Sequence, residues 1–221
     1  LDREVNLVAV DLPGHGLTPG PPKTGIGDLA QWVADLVAGL ELPKPPVLGG
    51  VSLGGAVVLE TVLSRPGLAA GLLLISSSAH FTGNGDWRDI LRRDRAEGVR
   101  IWAQALFSSG THPGTVRQTE RILSQVPLDL ILADLAAGAG FDRRARLGEV
   151  KIPALVLCGG EDRITPPEAS ALLAAGLPDA RLEVLAGAGH LVLVEKPGLV
   201  NQIILEFIRE KVTGRPAQDR G

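Results

Sequence analysis

Five short apolar segments punctuate the chain: "VNLVAV" (5–10), "PPVLGG" (45–50), "GLLLIS" (71–76), "IPALVLC" (152–158) and "RLEVLA" (181–186). Several are apolar at consecutive positions, where a half-exposed strand would alternate. Such a strand must be covered on both faces. Helical periods lie between most of them. In 26–40, Ile26, Leu29, Ala30, Val33, Val37 and Leu40 fall on one stripe, at the spacing of an amphipathic helix. Residues 54–64 and 167–176 are also helix-like, and 198–212 sets Val200, Ile203, Ile204, Phe207 and Ile208 on one face. Strand–helix alternation of this kind predicts an α/β fold, a mostly parallel sheet with helices on both faces.

The stretch 82–146 breaks that rhythm. It has no convincing strand but carries helical patterns over 87–107, 115–126 and 128–137. The expected organisation is therefore a core, 1–81, a helical cap, 82–146, and a second core part, 147–214. The polar tail, 215–221, is expected to fray.

Composition removes several functions. The 221 residues suit one well-buried domain, and two compact domains would be a squeeze. Acids and bases are interspersed at a net charge of −3, which argues against a nucleic-acid partner. The longest apolar runs are strand-length, far short of a membrane span. Cys158 is the sole cysteine, and His15, His80, His112 and His190 are widely scattered. Neither a disulfide framework nor a metal site is expected, and no cofactor is called for. Cys158 itself reads as a small core residue.

The chemistry starts at "GGVSLGGAV" (49–57), after a strand and before a helix. Gly50-Val51-Ser52-Leu53-Gly54 fits G-x-S-x-G in the context that this nucleophile elbow needs. Small residues at 50 and 54 would let strand and helix approach, so that a strained turn pushes the Ser52 hydroxyl out above the sheet. The helix N-terminus then faces a developing oxyanion. A serine needs a base, and the base an orienting carboxylate. "CGGEDRITPP" places Asp162 after the fourth strand, and "LAGAGHLVLVEKP" places His190 after the fifth. Carboxyl ends of parallel strands share one edge, so all three residues converge on one crevice. The order Ser, Asp, His is the one this architecture expects.

With "VAVDLPGHGLT", "GGVSLGGAV", "IPALVLCGGEDRITPP" and "LAGAGHLVLVEKP" in this order, the chain resembles the α/β-hydrolase superfamily. The likeness is to esterase-like members with a helical cap, and it runs from Val5 to about residue 212. It implies acyl transfer in which Ser52 attacks a carbonyl, His190 shuttles the proton, Asp162 holds the imidazolium and Leu53 N–H binds the oxyanion. Serine at the elbow separates the chain from dehalogenase and epoxide-hydrolase relatives, which need a carboxylate there. "SSSAHF" (76–81) offers no carboxylate after the preceding strand, which favours Asp162 as the acid. Glu161 is expected to point elsewhere. Val51, His80, Ile164 and Leu191 are candidate pocket residues, with His80 a wall or a cap hinge. His15 is expected to hold a turn, and Asp11 to be structural. Trp87, Trp102 and Phe107 stay open between core and substrate wall.

The likeness fails at the start of the chain. Family members carry further strands before "VAVDLPGHG", one of them central, and an upstream loop that supplies the second oxyanion N–H. This sequence opens at "LDREVNLVAV" and contains no methionine. An N-terminally truncated member is the expectation, with the alternative that strands 5–10 and 46–50 pair directly. Exposed strands could then support a dimer. A cytoplasmic location is expected, with an upstream signal peptide left open. The expected activity is hydrolysis of a small-molecule carboxylic ester with a small or medium acyl group. Lactone or carbon–carbon hydrolysis, acyl transfer and a non-catalytic binding relative are the alternatives.

Overall fold

The structure, a computed structural model, describes residues 5–81 and 85–214. Its sheet has four strands, β1 (Val47–Val51), β2 (Gly71–Ile75), β3 (Ala154–Gly159) and β4 (Ala180–Leu185), in spatial order β1-β2-β3-β4. All pairs are parallel, with Val51 opposite Ile75, Ile75 opposite Leu157, and Gly159 opposite Leu185. The carboxyl ends therefore finish along one edge.

Both faces are covered. Leu72, Leu74, Ala154 and Val156 point to a core shared with α1 (Ile26–Gly39), α2 (Leu53–Ser64) and α7 (Pro167–Gly176). Ile75, Leu155 and Leu157 point the other way, onto α8 (Val192–Glu195) and α9 (Pro197–Phe207). On α9, Val200, Ile203, Ile204 and Phe207 are buried as their spacing predicts. Each contributes about 1.5–3 kcal/mol by leaving water. Residues 208–212 follow as a π-type turn.

Between β2 and β3 lie α3 (Gly85–Arg93), α4 (Arg95–Ala105), α5 (Pro113–Gln125) and α6 (Leu128–Gly138). These helices share a small core of their own around Leu91, Val99, Ile131 and Leu135. The helical pattern over 87–107 is two helices, because the Asp94 carboxylate accepts from Glu97 N–H and caps α4. A capping side chain satisfies first-turn donors and starts a new helix where periodicity alone reads through.

The strand expected over 5–10 does not form. Residues 6–10 carry no ladder, and Leu7, Val8 and Val10 are 64%, 65% and 47% exposed. Apolar, β-branched residues make a strand only where a neighbouring edge accepts their backbone groups. Direct pairing with β1 is likewise absent, and among the described residues β1 is an edge strand. The tail 215–221 lies outside the described residues.

Candidate active site

Ser52 follows β1 directly and opens α2. Its backbone sits at φ 53°, ψ −119°, a region costing a non-glycine residue on the order of 1–3 kcal/mol. The surroundings hold it there, since Ser52 N–H donates to Ile75 O at 2.9 Å and the Ser77 hydroxyl donates to Ser52 O at 2.8 Å. Only part of the glycine pattern is sterically forced. A Cβ on Gly50 would collide with the Gly54 carbonyl, and one on Gly55 with the Ser77 hydroxyl. At Gly54, expected to be equally necessary, a Cβ meets open space. Leu53 is the first residue of α2, so its N–H belongs to the first-turn donors that no intrahelical carbonyl takes.

Asp162 and His190 stand on the loops after β3 and β4, each 3% exposed. His190 Nδ1 lies 2.9 and 3.1 Å from the two Asp162 oxygens. The Ile164 and Thr165 N–H groups donate to Asp162 Oδ1 at 2.8 and 2.9 Å, and the Thr165 hydroxyl donates to Oδ2 at 2.9 Å. Burial works to raise the Asp162 carboxyl, but the His190, Thr165 and Ile164 contacts outweigh it and hold it below the usual carboxylate range. It stays an anion, and the ring keeps Nε2 for chemistry.

A cavity of about 690 Å³ opens between these loops and the helical insertion. Ser52, Leu53, His80, Ile164 and His190 line it, together with Thr165 and, from the insertion, Trp87, Trp102, Asp134 and Leu135. Two expected pocket residues do not. Val51 packs on the α9 side of the sheet, because successive strand side chains alternate faces. Leu191 precedes α8 and is tied through its N–H to Leu106 O. Trp87 and Trp102, 6.1 Å apart between ring centroids, serve both the insertion's core and the cavity wall. Phe107 is fully buried and is not a lining residue. Glu161 turns outward to accept from Ser109 N–H and its hydroxyl, and Cys158 is buried in β3. His80 lines the cavity and forms an isolated antiparallel β-bridge with Asp142, near the end of the insertion.

The turn around His15 closes as expected, with Leu17 N–H on the Asp11 carboxylate and His15 N–H on Leu12 O. Unforeseen is its reach to α6, where His15 Nε2 lies 3.0 Å from Asp134 Oδ2. Burial works to lower the His15 pKa, but the Asp134 hydrogen bond and charge, with the Pro13 and Leu12 carbonyls, leave it raised. Burial pushes the Asp134 carboxyl up, with His15 offsetting only part. A raised histidine stabilises the fold fully below its unfolded value and loses that contribution as pH rises through the folded one. His15→Ala is therefore expected to cost about 0.5–1 kcal/mol near pH 6 and less at pH 8.5. Thermal melts at both values check this, and an equal cost at both would contradict it.

A strand–serine–helix elbow and a buried histidine–carboxylate pair, at one end of a parallel sheet, define a hydrolase of the α/β class. The chain belongs to the alpha/beta hydrolase family, whose model matches residues 1–203. Proteins named as esterases are among its matches, and proteins named as bromoperoxidases share the fold. The pimeloyl-[acyl-carrier protein] methyl ester esterase of Yersinia enterocolitica is 28% identical over 96% of this chain and 86% of that protein. An esterase from Thermogutta terrifontis, solved with malate bound, is 28% identical and superposes with a TM-score of 0.81, covering 91% of this chain and 79% of that one. An Exiguobacterium antarcticum esterase shares the fold at a TM-score of 0.82 with 17% identity, over 90% and 80% of the two chains. Among the described residues no helix is long and apolar enough to cross a membrane, and no cluster of His, Cys, Asp and Glu suits a metal ion.

Proposed function

We propose that the protein hydrolyses carboxylic esters through a serine acyl-enzyme. Ser52 Oγ attacks the ester carbonyl while its proton passes to His190 Nε2. The tetrahedral oxyanion is met by Leu53 N–H at the start of α2. The carbon–oxygen bond to the alcohol then breaks, and the alcohol departs with the proton from His190. Water, deprotonated by the same imidazole, attacks the acyl-serine; the bond from Ser52 Oγ to the acyl carbon breaks, the imidazolium returns its proton to Oγ, and the acid leaves. Asp162 holds the ring so that Nε2 faces the serine and stabilises the imidazolium.

The observation that carries this reading is the buried Asp162–His190 pair beside a cavity that Ser52 also lines. The cavity volume is in the range of small-molecule sites, and Trp87, Trp102, Leu106 and Leu135 favour an apolar small or medium acyl group. The names of the curated relatives add methyl esters of acyl chains as candidates.

The test pairs a fluorophosphonate probe with a panel of p-nitrophenyl and methyl esters. Labelling at Ser52 and turnover of short to medium acyl esters are expected. Lactone or carbon–carbon cleavage without ester turnover would redirect the reading within the same machinery, as would acyl transfer to an alcohol or thiol. Absence of label would favour a binding protein.

A further inference from the structure

The loops carrying Asp162 and His190 rest on one short piece of the insertion, residues 104–111. The Arg163 guanidinium donates to Gln104 O at 2.8 Å and Phe107 O at 3.2 Å, and Leu191 N–H donates to Leu106 O at 2.9 Å. A side chain at Gly189 would collide with the Phe107 backbone. Glu195, on α8, joins the two sides. Its Oε1 accepts from Ser108 N–H at 3.0 Å, from the Ser108 hydroxyl at 2.6 Å and from the Thr111 hydroxyl. Its Oε2 accepts from Gly189 N–H at 2.6 Å.

We propose that Glu195 is a positioning residue that fixes the His190 loop against residues 108–111, and so sets where the imidazole stands relative to Ser52. The proposal rests on the serine-hydrolase reading above. Only an ionised carboxylate suits the place. Four donors converge on it, and a carboxylate is acceptor-only, with about four lone-pair sites. Burial works to raise its pKa, but the Ser108, Thr111 and Gly189 donations hold the group lowered and charged. An amide would turn an NH₂ towards one set of donors, releasing either Gly189 or the Ser108–Thr111 turn. Gly189 directly precedes His190, so slack there moves the base. A misplacement of about 1 Å can cost roughly 10²-fold in rate.

The experiment compares Glu195→Gln, Glu97→Gln and Ser52→Ala with the parent chain, using p-nitrophenyl acetate and the fluorophosphonate probe. Glu195→Gln is expected to lower kcat roughly 10- to 100-fold with KM within about threefold, and to slow labelling of Ser52 in parallel. Glu97→Gln removes an exposed carboxylate that pairs with Arg100 on α4, and should leave both rates unchanged. Should Glu195→Gln fail to fold, Ser108→Ala with Thr111→Val removes two of the donors, and severalfold lower kcat at unchanged KM is expected. A folded Glu195→Gln with parental kcat, or with only KM raised, overturns the proposal while an inactive, unlabelled Ser52→Ala keeps the serine reading. A Ser52→Ala that still turns over overturns both.

Discussion

Ser52→Ala is expected to lower kcat for ester hydrolysis by roughly 10⁴ to 10⁶, and His190→Ala by a similar factor. The double variant should lose little more, because nucleophile and base make one step together and removing either disables it. What survives is binding plus whatever oxyanion stabilisation Leu53 N–H offers. Loss through unfolding is separable from loss of chemistry at this position. Ser52 occupies φ 53°, where alanine keeps the strain and glycine relieves it. Ser52→Gly should therefore be as inactive as Ser52→Ala yet at least as stable in denaturant melts. Steady-state kinetics and melts on the single and double variants check this. Additive losses, or substantial turnover in Ser52→Ala, would contradict the acyl-enzyme route.

Asp162→Asn is expected to cost roughly 10⁴ in kcat while the chain stays folded. The surroundings dictate how the new amide sits. Two backbone N–H groups, from Ile164 and Thr165, point at Oδ1, so the amide oxygen takes that place. Its NH₂ then replaces Oδ2, the atom 2.9 Å from His190 Nδ1. A donor facing Nδ1 makes that nitrogen an acceptor and moves the ring proton to Nε2. The tautomer is then wrong for a base, and no anion stabilises the imidazolium. Asp162→Ala, lacking the donor, should be impaired without the tautomer being enforced. Kinetics of both variants test the point, and Asp162→Asn within about tenfold of the parent would remove Asp162 from the mechanism.

Periodicity made much of this architecture readable. The stripe from Ile26 to Val37 is α1, and the continuous apolar runs are β2 and β3, buried from both sides. Both signals are local consequences of which faces must leave water. The same signal misled at 5–10, where apolar residues stand exposed because strand formation needs a partner edge that a strand's own residues do not supply. It also read through the break at Asp94, since a cap leaves helical spacing almost undisturbed.

The site divides along the same line. The placement of Ser52, Asp162 and His190 at one edge of the sheet was legible because each follows a strand, and parallel strands end on a common edge. Thr165 left a faint trace, an Asp with a Thr three residues on, which is a local turn pattern. Glu195 and the His15–Asp134 contact left none. Their partners in the insertion, Ser108 and Asp134, lie 87 and 119 residues away, and hydrogen bonds across such separations have no period or spacing. Residue type and order by themselves determined the layered α/β class, the elbow and the three loops, because those follow from short-range geometry and from which faces exclude water. Only the tertiary structure decided that the segment 5–10 has no ladder, that Gly55 and not Gly54 is sterically required, and that the half-buried Glu195 carboxylate joins the His190 loop to the insertion. Each depends on which distant backbone and side-chain groups meet, and chain folding alone settles that.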